Sequence, residues 1–149
     1  MPDPTTPVPA LAQIASDASA LHRALRVHPA DRASVLATRI NDAQQLAGTA
    51  LRLFLTLGPQ ASQPTPTDLL LLHQVAQIAK AAQDAGAELA AALARGLENQ
   101  RRQADAASGR VVLVGPTPQQ FIESAIDLLD RIPALCHAMS RDRPISPNR

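Results

Sequence analysis

The stretch LHQVAQIAKAAQDAGAELAAAL, residues 72–93, decides the fold of this 149-residue chain. Its apolar residues recur at alternating intervals of three and four, which is the spacing of one face of an α-helix. The members of this apolar stripe are Leu72, Val75, Ala79, Ala82, Gly86, Leu89 and Leu93. Such a stripe is buried only when it packs against another apolar surface, here the stripe of another helix. The stretch therefore predicts a helix with helical neighbours.

Three other segments have the same spacing and are made of the same small and aliphatic residues. Their stripes are Leu11, Ile14, Ala18, Leu21 and Leu25; Leu36, Ile40, Ala43, Ala47, Ala50, Phe54 and Leu57; and Ile122, Ala125, Leu129, Ile132, Cys136 and Met139. The chain length suits one domain. We therefore predict an all-α, mostly antiparallel four-helix bundle, and because aromatic residues make up only 1% of the chain its core must be aliphatic.

Prolines, glycines and capping residues set the expected limits of these helices. Residues 1–9 and 141–149 are rich in proline and predict flexible tails around a bundle domain at 10–140. The first helix should run from near Pro9 to near His28, and the second from Pro29 to Leu57, before Gly58 and Pro59.

Capping patterns mark the starts of the other two helices. Thr65 and Asp68 precede a stretch that can form one long helix, about 67–107, although Gly96 could bend it. Thr117 and Gln120 form a capping box for a fourth helix that should last to about Ser140. Pro133 falls inside that helix and should kink it.

Two short apolar stretches are the candidate interface. The four consecutive leucines Leu69, Leu70, Leu71 and Leu72 wrap most of a helix, so they cannot all face one neighbour. Either another segment of the chain covers the remainder or they meet another chain. The stretch Val111, Val112, Leu113 and Val114 has the character of a strand, but no second strand is available to pair with it. It should be an extended segment that packs on the bundle or pairs with another molecule.

The common signatures of catalysis and of metal binding are missing from the sequence. A phosphate-binding loop ends in Gly-Lys, and the only lysine, Lys80, follows an alanine within a helix. A di-metal bundle needs a histidine three residues after a glutamate, and no glutamate here has one. The residues at that distance from Glu88, Glu98 and Glu123 are Ala91, Arg101 and Ile126. We expect no catalytic residues, no metal and no cofactor.

The compartment is inferred from the cysteine count and the apolar segments. The lone Cys136 lies on an apolar stripe and should be a buried, inert thiol in a reducing compartment. The N-terminal residues lack the features of a signal peptide, and no apolar run approaches the ~20 residues that cross a bilayer. These observations favour a cytoplasmic protein without membrane contact. The predominance of arginine and alanine is typical of GC-rich coding in bacteria.

Two pairs of residues resemble the active-site motif of a helical-bundle family. Arg23 precedes His28 with four residues between, and Arg131 precedes His137 with five. This is similar to the Arg-to-His spacing of HEPN ribonucleases, which implies an RNA-cleaving site at a dimer axis. In that family a polar residue usually follows the arginine, whereas here Ala24 and Ile132 follow, and Pro133 interrupts the second pair.

The expected function follows from charge and surface. The net charge is +1, so no overall field attracts nucleic acid. A cluster of arginines at the end of the third helix, Arg95, Arg101, Arg102 and Arg110, could contact DNA, but Glu98 and Asp105 lie among them. We expect a non-enzymatic interaction or assembly protein that self-associates or acts as an adaptor for a protein partner. The alternatives are a HEPN-like ribonuclease and a DNA-associated accessory protein.

Overall fold

The computed structural model describes residues 7–27, 32–58, 63–106, 109 and 113–142. They form four helices, α1 (Pro7–Val27), α2 (Ala33–Leu57), α3 (Pro66–Asp105) and α4 (Pro118–Asp142), and within these residues there is no strand. The prediction of an all-α four-helix bundle is confirmed.

Both predicted capping boxes are present. The Asp68 backbone N–H donates to Thr65 Oγ1 at 3.1 Å, and the Thr65 N–H donates to the Asp68 carboxylate at 3.0 Å. At α4 the Thr117 N–H donates to Gln120 Oε1 at 2.8 Å, and the Gln120 N–H donates to Thr117 Oγ1 at 3.2 Å. Each pair satisfies two N–H groups that lack partners at a helix start, which fixes where α3 and α4 begin.

Two helix starts differ from the prediction or lie outside the described residues. α1 begins at Pro7, so residues 7–9 of the predicted tail are helical. Prolines are tolerated there because the first N–H groups of a helix have no partner within it. α2 begins at Ala33, and its predicted start at Pro29 lies outside the described residues. α3 continues through Gly96 and α4 through Pro133 without interruption.

The four helices form a ring in which each packs on the helices before and after it, and α1 closes the ring on α4. α3 makes the most extensive packing, on α2 and on α4, whereas α1 and α2 have the thinnest contact. Predicted stripe residues fill the centre. All are buried except Ile40, Phe54, Leu57, Leu72 and Leu93, which are half-buried.

The core also contains residues that the stripes missed, among them Leu46, Leu53, Ile78 and Ile126. A helix in a ring faces two neighbours, so its buried face is broader than one stripe. The described residues include no buried polar or charged residue.

The packing register shows that α3 extends past its neighbours α2 and α4 at both ends. A Cβ on Gly86 would lie 3.5 Å from the Ala43 Cβ, which places these residues side by side. From Gly86 back to Pro66 there are 20 residues, against 14 from Ala43 to Leu57. The difference of six residues, about 9 Å at 1.5 Å per residue, is the overhang of the start of α3 beyond the end of α2.

The same counting applies at the other end of α3. A Cβ on Gly96 would have the Pro118 Cγ as its nearest neighbour, at 3.9 Å, so Gly96 lies level with the start of α4. The nine residues from Gly96 to Asp105 extend about 13 Å past that point.

α1, in contrast, ends before it reaches the level at which α4 begins. The His22 Nε2 and the Asp130 carboxylate are 3.7 Å apart, which aligns α1 with the middle of α4. From Asp130 back to Pro118 there are 12 residues, but only five from His22 to Val27, so α1 stops seven residues, about 10 Å, before the level of the start of α4. We call the end around Ala33, Gly96 and Pro118 the three-helix end. The opposite end, where all four helices are present, is the four-helix end.

Candidate interaction surfaces

The leucines at 69–72 are divided between core and surface. Leu71 packs against the core and Leu72 is half-buried, whereas Leu69 and Leu70 are 53% and 50% exposed. Leu69 precedes the fully buried Ile78 by nine residues, which at 100° per residue turns it about half a circle away from the core. Leu69 and Leu70 belong to the first six residues of α3, the part that overhangs α2, and we call this overhanging turn the leucine knob.

The second predicted stretch lies elsewhere. Val111 and Val112 are outside the described residues. Leu113 and Val114 belong to no helix or strand and are 43% and 71% exposed. The Arg95 Nη1 donates to the Val114 carbonyl at 3.1 Å, which fixes this segment beside the last third of α3. Since Arg95 follows Leu69 by 26 residues, the two stretches are separated by about 39 Å along α3 and cannot form one surface.

The sequence did not predict a groove at the three-helix end. It has a volume of about 370 Å³ and lies between the start of α2, the last third of α3 and the start of α4. No described residue of α1 lines it, because this helix ends at Val27, before the level of the groove. Those of its lining residues that the structure describes are uncharged and mostly apolar: Ala33, Leu36, Ala92, Leu93, Gly96, Leu97, Gln100, Thr117, Pro118, Gln119 and Ile122.

The arginines at the end of α3 are paired with carboxylates. Arg101 donates to Glu98 at 2.7 Å and to Asp105 at 3.3 Å, and Arg102 donates to Glu98 at 3.0 Å. Hydrogen bonds from Arg101 and then Arg102 lower the pKa of Glu98 to about 2, so its carboxylate is charged at neutral pH. Arg95 is bound to the Val114 carbonyl, and Arg110 is outside the described residues. This end of α3 therefore presents mixed charge rather than a basic face for DNA.

The arginine–histidine pairs are not assembled into a common cleft by the described residues. Arg131 is exposed and lines a surface groove with Lys80 and Asp84, whereas His137, also exposed, does not line it. Of the other pair, Arg23 is exposed and His28 lies outside the described part of the chain.

A different group meets between α1 and α4. The Arg26 Nε donates to the His22 Nε2 at 3.4 Å, and the Asp130 carboxylate lies 3.7 Å from the same nitrogen. This contact marks the register of α1 on α4, and the sequence pattern did not predict it.

Cys136 is buried, and burial raises the pKa of its thiol to about 11. The thiol is therefore protonated at neutral pH and is a poor nucleophile, as the sequence predicted. Among the described residues, no group of three histidine, cysteine, aspartate or glutamate side chains is placed to hold a metal ion.

None of the four described helices combines the length and the apolar character that crossing a membrane requires. In comparisons with family models, with curated proteins and with solved structures, the chain matches none of them.

Proposed function

We propose that the protein is a non-enzymatic interaction protein whose helical bundle self-associates, with the leucine knob in the contact. The observation that carries this proposal is the exposure of Leu69 and Leu70 on a helical turn that overhangs the end of α2. Surface leucines are ordinary when scattered, but two adjacent ones on a projecting turn are placed to enter another surface.

The free energy available from burying Leu69 and Leu70 is too small to hold two copies together without further contacts. Burying a leucine completely is worth about 1.5–3 kcal/mol, and each of these two already gains about half of that on folding. The pair thus offers about 1.5–3 kcal/mol, whereas a micromolar complex needs about 8 kcal/mol. The knob therefore needs a complementary apolar surface that contributes area of its own.

The charges of α3 support a protein partner over a nucleic acid. Arg101 and Arg102 share the Glu98 carboxylate, and Arg101 also contacts Asp105. Phosphate binding depends on basic side chains that can release counterions from the nucleic acid, and carboxylates on the same face oppose it.

Sedimentation velocity over a wide range of protein concentration tests the proposal. We expect the mass of the wild-type protein to rise with concentration, and that of a Leu69→Glu, Leu70→Glu double variant to stay at one chain. Val27→Glu is the matched control, because Val27 is 62% exposed at the last residue of α1, towards the three-helix end rather than the knob. A wild-type protein that remains a monomer throughout, or a double variant that associates as the wild type does, would contradict the proposal.

A further inference from the structure

The outer side of the α2–α3 pair presents a surface made mostly of alanine and leucine. Ala43 and Gly86 mark the line along which the two helices face each other. Counted from them at 100° per residue, the exposed residues turned by about 40–120° lie on one side of the pair. Leu46 and Ala81, which line clefts with α1 and α4, are turned the opposite way. We call this surface the α2–α3 face. Between the levels of Leu69 and Ala94, its exposed residues are Ala33, Ala37, Gln44, Leu51 and Leu55 of α2 and Leu69, Ala76, Lys80, Gln83, Ala87, Ala90 and Ala94 of α3.

The α2–α3 face carries less charge than the exposed side of α4. Lys80 is the one charged residue in the set just given, and its Nζ is bound to the Asp84 carboxylate of the same helix at 2.6 Å. The exposed residues of α4, in contrast, include Glu123, Asp127, Asp130, Arg131 and His137. Charged residues are depleted in the same way at the centre of protein interfaces, so the composition of the α2–α3 face favours contact with another apolar surface.

The size of the face matches that of a stable protein contact. From Leu69 to Ala94 there are 25 residues of α3. They span about 37 Å, and two helices side by side are about 20 Å wide. The face therefore covers about 750 Å², while each partner in a standard protein complex buries about 800 Å².

Large and small residues occupy different halves of the face. The leucines lie towards the four-helix end, and five of the six alanines lie towards the three-helix end. Leu51 and Leu55 are 42% and 68% exposed, and they follow Ala43 by eight and twelve residues. Ala90 and Ala94 follow Gly86 by four and eight residues, in the opposite direction because α2 and α3 are antiparallel. The pairs Leu51–Ala90 and Leu55–Ala94 thus share one midpoint, about 3 Å from the Ala43–Gly86 contact and close to the level of Gln83.

We propose that two copies associate through the α2–α3 face about a twofold axis at this midpoint, so that the leucine half of each copy covers the alanine half of the other. The rotation places Leu51 on Ala90 and Leu55 on Ala94 of the second copy, large side chains over small ones as in a packed core. It also places Ala76 level with the second copy's Ala37. Such a contact uses the same surface on both copies and closes at two chains. This inference rests on the proposed function and specifies its contact, with Leu69 of the leucine knob at one end of the face.

Charged substitutions in the alanine half of the face test this contact. In the double variant Ala90→Glu, Ala94→Glu each carboxylate would lose its hydration against a leucine side chain of the second copy. We expect this variant to sediment as one chain at concentrations at which the wild type forms two. Ala12→Glu, Ala20→Glu is the matched control, because both alanines are exposed on α1, and it should dimerise as the wild type does. Circular dichroism and the melting temperature show whether each variant keeps the helical fold.

A cysteine introduced close to the axis gives an independent test. Cys136 is the chain's only cysteine and is buried, so it does not interfere. In Gln83→Cys the thiols of two copies would meet near the axis and form a disulfide when copper phenanthroline is added as oxidant. Gln77→Cys is the matched control, since Gln77 is exposed on the same helix but is turned about 120° from Gln83. We expect Gln83→Cys to give a linked dimer many times faster than Gln77→Cys.

The outcomes separate this inference from the proposed function. Self-association that survives in the folded variant Ala90→Glu, Ala94→Glu, but not in Leu69→Glu, Leu70→Glu, means that the leucine knob contacts another surface. That result overturns the twofold contact and leaves the proposed function standing. A wild-type protein that grows beyond two chains, or equal linking of Gln83→Cys and Gln77→Cys, likewise overturns the twofold contact. A wild-type protein that is monomeric at every concentration overturns both proposals.

Discussion

The two ends of this bundle are built from the same kinds of residue but are packed differently. From the middle of the bundle to the four-helix end the stripe of α1 covers α4, and Leu11, Ile14, Leu129 and Ile132 are completely buried. At the three-helix end the described residues of α1 do not reach this level, Leu97 is 48% exposed and a groove opens between α2, α3 and α4. The difference teaches that the length and register of one helix, rather than its composition, decide whether an apolar surface becomes core or stays exposed.

Truncating one leucine beneath α1 and one at the three-helix end should give the largest contrast. Leu129→Ala removes a completely buried side chain beneath α1 and should lower the free energy of unfolding by about 2–5 kcal/mol. Leu97→Ala should change the free energy of unfolding by less than about 0.5 kcal/mol, because the Leu97 side chain is half-exposed. Urea unfolding of both variants measures this, and equal losses would mean that the two ends are packed alike.

The two glycines of α3 allow the same comparison with an added side chain. Gly86 lies against Ala43, and although a Cβ fits at 3.5 Å, the further atoms of Gly86→Leu have no room. We expect this variant to lose about 1–3 kcal/mol of unfolding free energy through overpacking. The side chain added in Gly96→Leu projects into the groove, so this variant should lose no unfolding free energy. The melting temperatures of Gly86→Leu and Gly96→Leu measure this difference, with Gly86→Ala as the control. A larger fall in melting temperature for Gly96→Leu would contradict the proposed packing register of α3.

Cys136 reports on the integrity of the α4 core. With its pKa raised to about 11 by burial, the thiol should react with a disulfide reagent at pH 8 many times more slowly than a free cysteine. Full reactivity should return in denaturant. Rapid labelling of the native protein would show that this part of the core is open to solvent.

The smallest effect is expected from the ion pairs of the α3 overhang. The pKa of Glu98 is lowered from its ordinary value of 4.5 to about 2, so its contribution is complete above pH 4.5 and disappears as the pH falls towards 2. Glu98→Gln should therefore melt slightly below the wild type at neutral pH and together with it near pH 2. Because the group is exposed, a large difference at neutral pH would contradict this interpretation.

Much of this fold could be predicted from the sequence, because helix periodicity and caps are local properties. The stripes identified the core, and the pairs Thr65–Asp68 and Thr117–Gln120 located two helix starts. The register between helices could not be predicted, since it depends on which side chains interlock across the bundle. For that reason the overhangs of α3 and the groove were missed, and the exposed segments at Leu69 and Val114 turned out to lie at opposite ends.

Amide hydrogen exchange along α3, measured on dilute protein, tests most directly whether the two ends differ. We predict that residues 75–92 exchange only through global unfolding, while residues 97–105 exchange many times faster because no neighbouring helix covers them. Uniform protection from Val75 to Asp105 would contradict the account, since it would mean that the last turns of α3 are packed as the core is.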